Sequence, residues 1–201
     1  IVLAAMAGAS RHAFAITIVA TIVHDVALTA LILFFLWSAG ERFASIGWTS
    51  RRLGREVALG VALYLPMLIL LLAVGGLLRA AGLGSPHAPP AGIVPHSLAE
   101  RAAASLLVVV VAVAEETIFR GYLLLRLRAV TRSTAVAVGL STLVFATAHS
   151  YSGPAGIVAV AVLSVVFALV YLWRNSLVAP IVLHFLQDFL GLVIAPWLAL
   201  H

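Results

Sequence analysis

The chain has 201 residues, 64% of them hydrophobic and only 9% charged; an ordinary soluble domain carries about 25% charge, so the composition excludes one and defines a polytopic membrane protein. The net charge of +5 comes entirely from arginine, placed at the ends of apolar runs and not in a basic stripe, which answers to membrane topology and anionic headgroups and argues against nucleic acid as a partner. Cysteine is absent, so disulfides and thiolate metal sites are excluded.

At about 20 residues per span, the length predicts an all-α bundle of about six transmembrane helices with short loops, one integral domain over 1–201. Hydropathy places the apolar runs at 13–38, 57–80, 102–125, 135–150, 156–173 and 178–199. The first is too long for the core of a signal peptide, and no small-residue cleavage site follows it. The chain opens at Ile1 and not at Met, which leaves room for a preceding segment. His24 and Asp25 lie within this first run. Being neighbours on a helix they point about 100° apart, so each is expected to find its partner on another helix and not in the other.

The loop after the first run holds Arg42, Arg51, Arg52 and Arg55, the one after the third Arg126, Arg128 and Arg132, and the one before the last Arg174. The alternate loops are poor in arginine. The positive-inside rule then puts the Arg-rich loops in the cytoplasm and both ends of the chain outside; Arg11 alone argues the other way. Between the second and third runs, Gly82, Gly84, Pro86, Pro89, Pro90, Gly92 and Pro95 forbid a continuous helix. This stretch reads as an external linker, with a short re-entrant piece as the alternative.

The third run carries Glu115, Glu116 and Arg120 in the midst of Leu, Val and Ala. Each ionised side chain in a bilayer core costs about 2.5–3.5 kcal/mol on insertion scales, so such residues are functional candidates by default. Residues at i and i+4 share a helix face. Glu116 and Arg120 are therefore predicted to form an ion pair, while Glu115 points elsewhere and lacks a local partner. A carboxylate of that kind suits a general acid or base. The fourth run ends in Phe145-Ala-Thr-Ala-His149, where the phenyl ring one turn earlier can pack on the imidazole. A Tyr-Ser-Gly-Pro-Ala-Gly turn (151–156) follows. In the last run, Pro180 falls in the first helical turn, where its missing N–H costs little. His184 is followed at i+4 by Asp188, which can accept one ring N–H and leave the other nitrogen free.

Two His, two Glu and one Asp from three helices could ligate a divalent metal such as zinc, with Glu115, His149 and His184 as the donors, or could activate water without metal. The His-Glu-x-x-His signature is absent, and spacing does not choose between the two.

Together, Glu115-Glu116-x-x-x-Arg120, Phe145-x-x-x-His149 and His184-x-x-x-Asp188, each in its own apolar run and in this order, resemble the motifs of the CAAX protease and bacteriocin-processing family of intramembrane endopeptidases, also called the abortive-infection protein family. Phe119-Arg120-Gly121 and Ser176-Leu-Val-Ala-Pro180 are similar to the family as well, and the likeness covers roughly 100–192. The resemblance implies peptide-bond hydrolysis in a bundle whose three motif helices converge on an intramembrane cavity. It makes Glu115 the water-activating base with His149 assisting, His184 and residue 188 the oxyanion stabilisers, and Glu116 with Arg120 the supporting pair. Eukaryotic members carry Asn where Asp188 stands. An ionised Asp cannot donate to an oxyanion, so here it is expected to orient His184.

The expected function is an intramembrane endopeptidase of the cell membrane, acting on a lipidated, leader-bearing or anchored peptide or protein. A proton- or metal-coupled transporter and a non-catalytic membrane partner are the alternatives. Membrane lipids and the substrate are the only partners implied; subunit number is not. One tension remains in depth. Glu115 and His184 fall about 9 Å from the cytoplasmic ends of their runs, whereas His149 ends a run rising from that side and sits about 10 Å deeper. The fourth helix must tilt or begin outside the membrane surface.

Overall fold

The computed structural model describes residues 11–49, 52–84 and 93–199. It is helical, with no strand among the described residues. Helix α1 (Arg11–Ser38) and a 3-10 turn (Phe43–Ile46) lead to α2 (Leu53–Ala80). Helix α3 (Leu98–Glu115) runs without a break through a π-helical segment (Glu116–Leu123) into α4 (Leu124–Thr131). Helix α5 (Thr134–Ala148) and a 3-10 turn (Ser150–Ser152) precede α6 (Gly153–Arg174). Helix α7 (Val178–Phe189), a second π segment (Leu190–Ile194) and α8 (Ala195–Ala199) complete the chain. The core of the Pro/Gly-rich linker (85–92) and Arg51 lie outside the described residues.

Five stretches are long and apolar enough to cross a bilayer: α1, α2, the α3–α4 rod, α6 with its preceding turn, and α7–α8. The fourth apolar run is a helix of only 15 residues. The sequence signals behind the boundaries are chemical. Ser97 and Glu100 form a reciprocal capping box at the start of α3, satisfying backbone N–H groups that would otherwise be orphaned. Ser133 caps α5 through the Val136 N–H. Asn175, at φ +50°, ends α6 in the left-handed conformation, which Asn tolerates better than most residues.

In the apolar stretches of α1 and α2 only 11% of residues are buried, against 39% in those of the α3–α4 rod and α6. Helices α3, α6 and α7 are thus the interior, and α1 and α2 are flanks whose Ile16, Val23, Phe34, Leu65 and Leu72 face outward as lipid-facing residues do. Three buried clusters hold the bundle. Phe14 and Ile18 of α1 meet Ala104 and Val108 of α3. Met67 of α2 meets Phe167 of α6 and Leu183 of α7. Leu124, Ala137, Tyr171 and Leu177 join α4 and α5 to the α6–α7 turn.

Lipid tails are as apolar as leucine, so helices in a bilayer associate through close packing and hydrogen bonds more than through water exclusion. Gly60 shows this at the α2–α7 contact. A Cβ there would stand 2.7 Å from Val182 Cβ and 2.9 Å from the Ala179 carbonyl oxygen. Gly60→Ala should therefore destabilise the protein by about 1–3 kcal/mol, the usual cost of overpacking, read as a lower midpoint in detergent unfolding; an unchanged midpoint would show that α2 can move aside freely.

The Arg-rich connections gather at one end of the bundle, as positive-inside placement requires. The Leu177 N–H donates to the Gly47 carbonyl at 3.0 Å, Arg174 pairs with Glu56, and Arg126 pairs with Glu41. Gly121, packed on Ile46 and Leu177, stands at the same level. From Gly121 to Thr131 the rod continues for about 15 Å past those turns. This resolves the depth problem. Glu115 lies about 24 Å from Thr131, and His149 about 22 Å from Thr134, at 1.5 Å per residue. The short fourth helix reaches the right level because it begins well outside the other turns.

Candidate active site

Glu116 is the centre of the polar interior. Its Oε1 accepts from Arg120 Nη1 at 2.8 Å and from His184 Nδ1 at 2.9 Å, and all three residues are at most 5% exposed. The predicted Glu116–Arg120 pair is present. The π segment helps to make it: with more than four residues per turn, positions i and i+4 come almost directly over one another. Arg120 Nη2 also donates to the Ser164 carbonyl at 3.3 Å, and its guanidinium lies 4.5 Å from the Phe145 ring centroid and 5.2 Å from that of Phe167. Buried charge is tolerated only when paired and hydrogen-bonded, and here aromatic faces complete the enclosure.

His184 differs from the sequence expectation in one respect. Neither of its nitrogens is free. Because Glu116 already accepts from Arg120, Nδ1 is the donor to Glu116. Nε2 faces two carboxylates, Asp188 Oδ2 at 3.4 Å and Glu115 Oε2 at 3.7 Å. The ring is stacked on Phe167 with centroids 5.1 Å apart. A contact between residues 68 positions apart on different helices leaves no trace in local spacing, so the Glu116 partner could not be read from the sequence.

Glu115, immediately before Glu116, reaches toward the other nitrogen of the same His184 ring. Its side chain is 13% exposed, and its Oε2 is buried without a hydrogen-bond partner. The α3–α4 rod and α7 therefore bring Glu115, Glu116, Arg120, His184 and Asp188 together, with His149 of α5 at the edge. His149 closes α5, donates from Nδ1 to the Phe145 carbonyl at 2.8 Å, and lies between the rings of Phe145 (4.7 Å) and Tyr151 (5.7 Å). The expected Phe145–His149 packing is found. Since the carbonyl can only accept, Nδ1 carries a proton, and Nε2 is the nitrogen left for chemistry.

His24 and Asp25 overturn the expectation that adjacent residues cannot pair. His24 Nδ1 meets Asp25 Oδ1 at 3.0 Å, the imidazole leaning across from the outer face of α1. The residues missed from sequence are the ones that line the charged groups: Ser164, Thr142, Phe167 and Tyr151. Ser164 Oγ donates to Thr142 Oγ1 at 3.2 Å, and Ser141 Oγ donates to the Phe119 carbonyl at 3.4 Å, inside the π segment. Small hydroxyls in apolar helices were the available signal.

Among the described residues no group of three or more His, Asp or Glu side chains has the arrangement of a metal site. A cavity of about 650 Å³ opens between α2, α5 and α6. Its walls are apolar, Leu70, Leu143, Ala146 and Val162 among them, and it touches none of the six motif residues.

A polytopic helical membrane protein with a buried Glu-Arg-His cluster and a second glutamate beside it, its Oε2 without a hydrogen bond, is the class that fold and site define. Residues 97–190, the stretch that carries every one of these groups, match the model of the family described as type II CAAX prenyl endopeptidase Rce1-like. This is a family of proteases, in agreement with the resemblance read from the motifs. No curated protein and no solved structure matches the chain.

Proposed function

We propose that the chain is an intramembrane endopeptidase of the cell membrane, one integral domain that hydrolyses a peptide bond in a lipidated or otherwise membrane-anchored substrate. The observation that carries this reading is the division of labour between adjacent glutamates: Glu116 Oε1 accepts from both Arg120 and His184, whereas the buried Glu115 Oε2 accepts no hydrogen bond and lies 3.7 Å from His184 Nε2.

In this reading Glu115 removes a proton from water as the oxygen attacks the substrate carbonyl, and later returns that proton to the leaving nitrogen. His149 Nε2 holds the same water from the α5 side. With Nδ1 donating to Glu116 and Nε2 facing Asp188 and Glu115, His184 is held in one orientation, and its Nε2–H stabilises the carbonyl oxygen as it becomes negative once the substrate enters beside those carboxylates. Preorganised donors of this sort stabilise an oxyanion best when their orientation is already fixed. Glu116 and Arg120 fix it here.

The test is cleavage of a C-terminally prenylated peptide by the protein in proteoliposomes, followed by mass spectrometry. His149→Ala should lower kcat about 10²-fold, the lower range for a proton-handling group, with normal insertion and folding. Proton or metal flux through the liposomes without peptide cleavage would replace the protease reading by transport.

A further inference from the structure

Helix α1 lies outside the family match, yet it presents a carboxylate to the same interior. Ile18 and Ile22 pack in the cluster that holds Val108 and Val111 of α3. One turn further along this face stands Asp25, and one turn beyond it Thr29. Asp25 is 7% exposed. Its Oδ1 is held by His24 Nδ1 at 3.0 Å, while its Oδ2 is fully buried with no hydrogen-bond partner. Glu115 Oε2 is likewise buried without a hydrogen bond. Seven residues separate Ile18 from Asp25 along α1 and Val108 from Glu115 along α3, so the two carboxylates stand at one level of the packed pair, with Glu115 Oε2 also 3.7 Å from His184 Nε2. A single species bridging them must donate twice, and in a hydrolase the reacting water does so.

We infer that Asp25 is the second acceptor for the water that Glu115 activates, so that α1 supplies part of the catalytic centre. The inference rests on the hydrolytic reading of Glu115. The water donates one O–H to Glu115 and the other to Asp25. As its oxygen bonds to the carbonyl carbon, the carbonyl π electrons pass to the carbonyl oxygen and the first proton moves to Glu115. The second O–H remains donated to Asp25 and aims the oxygen lone pair. When the C–N bond breaks, Glu115 gives its proton to the leaving nitrogen. His24 stands on the outer face with 67% of its side chain exposed, and it holds the Asp25 carboxylate with Oδ2 inward.

The experiment measures kcat and KM for prenylated-peptide cleavage by the full chain carrying Asp25→Ala, His24→Ala, Glu115→Gln, or Asp25→Ala with Glu115→Gln. Asp25→Ala should lower kcat about 10²-fold, the loss typical of a misplaced reacting group, and leave KM within about twofold. His24→Ala removes an exposed side chain that the core does not need, so it should fold normally and lower kcat in the same direction by less. The double variant should be no slower than Glu115→Gln alone, because both residues act on one water. A wild-type kcat in Asp25→Ala and His24→Ala, with Glu115→Gln inactive, overturns the role of Asp25 and leaves the protease reading standing. Unimpaired cleavage by Glu115→Gln removes both. Losses that multiply in the double variant overturn the shared water.

Discussion

Replacing Glu115 by Gln should lower kcat by about 10⁴-fold, the upper range for a positioned acid–base group, and leave the unfolding midpoint unchanged or slightly raised. Glu115 Oε2 makes no hydrogen bond that the amide would lose, and removing a charge from an apolar interior relieves a desolvation cost. Activity and stability are thus expected to move in opposite directions. The same change at Glu116 should reverse the pattern, because that carboxylate accepts from both Arg120 and His184. Cleavage rates and detergent unfolding of the two single variants decide the matter. If Glu116→Gln were the more damaging to kcat at equal stability, the assignment of base and support would be inverted.

Arg120→Met should destabilise the protein by about 3–5 kcal/mol, the cost of breaking a buried pair by deleting one partner. The methionine can fill much of the space between Phe145 and Phe167, so packing is not the main loss. What is lost is the counter-charge to Glu116, which is 0% exposed, and the bond to the Ser164 carbonyl. Adding Glu116→Leu should recover a large part of the stability, since a buried ion pair replaced as a whole is often neutral. It should not recover activity, because His184 would have lost the acceptor that holds Nδ1. Arg120→Met and the double variant unfolding at the same midpoint would refute this account.

Much of this was legible along the chain. The glutamate pair, the two histidines and Asp188 stood out because a bilayer tolerates few ionisable groups, and the i, i+4 relation already assigned Glu116 to Arg120. Helix continuity was not legible. The third apolar run seemed bounded at 125 because Arg126, Arg128 and Arg132 end the hydrophobic signal, yet the helix continues to Thr131. Hydropathy reports the solvent around a segment, whereas backbone hydrogen bonding decides where the helix stops. His24 with Asp25 failed for a different reason: the 100° rule describes Cβ directions, and an imidazole is long enough to bend back across that angle. The His184–Glu116 bond is tertiary, visible only once α3 and α7 are packed.

The π segment at Glu116–Leu123 carries a further consequence. A π turn amounts to one residue inserted into an α-helix, and such turns cluster at functional sites. Everything before it is therefore out of phase, by the rotation of one residue, with everything after it. Glu115 and the α1-facing stripe of α3 lie on one side of that offset, and Leu124, packed against α5 and α6, on the other. Deleting a single residue within 117–119 would restore a regular helix with almost no change in composition. It would also bring Glu116 and Arg120 to an i, i+3 spacing and misalign their pair, while leaving both ends of the rod with the same neighbours. Helix length would absorb such a deletion easily; angular register would not.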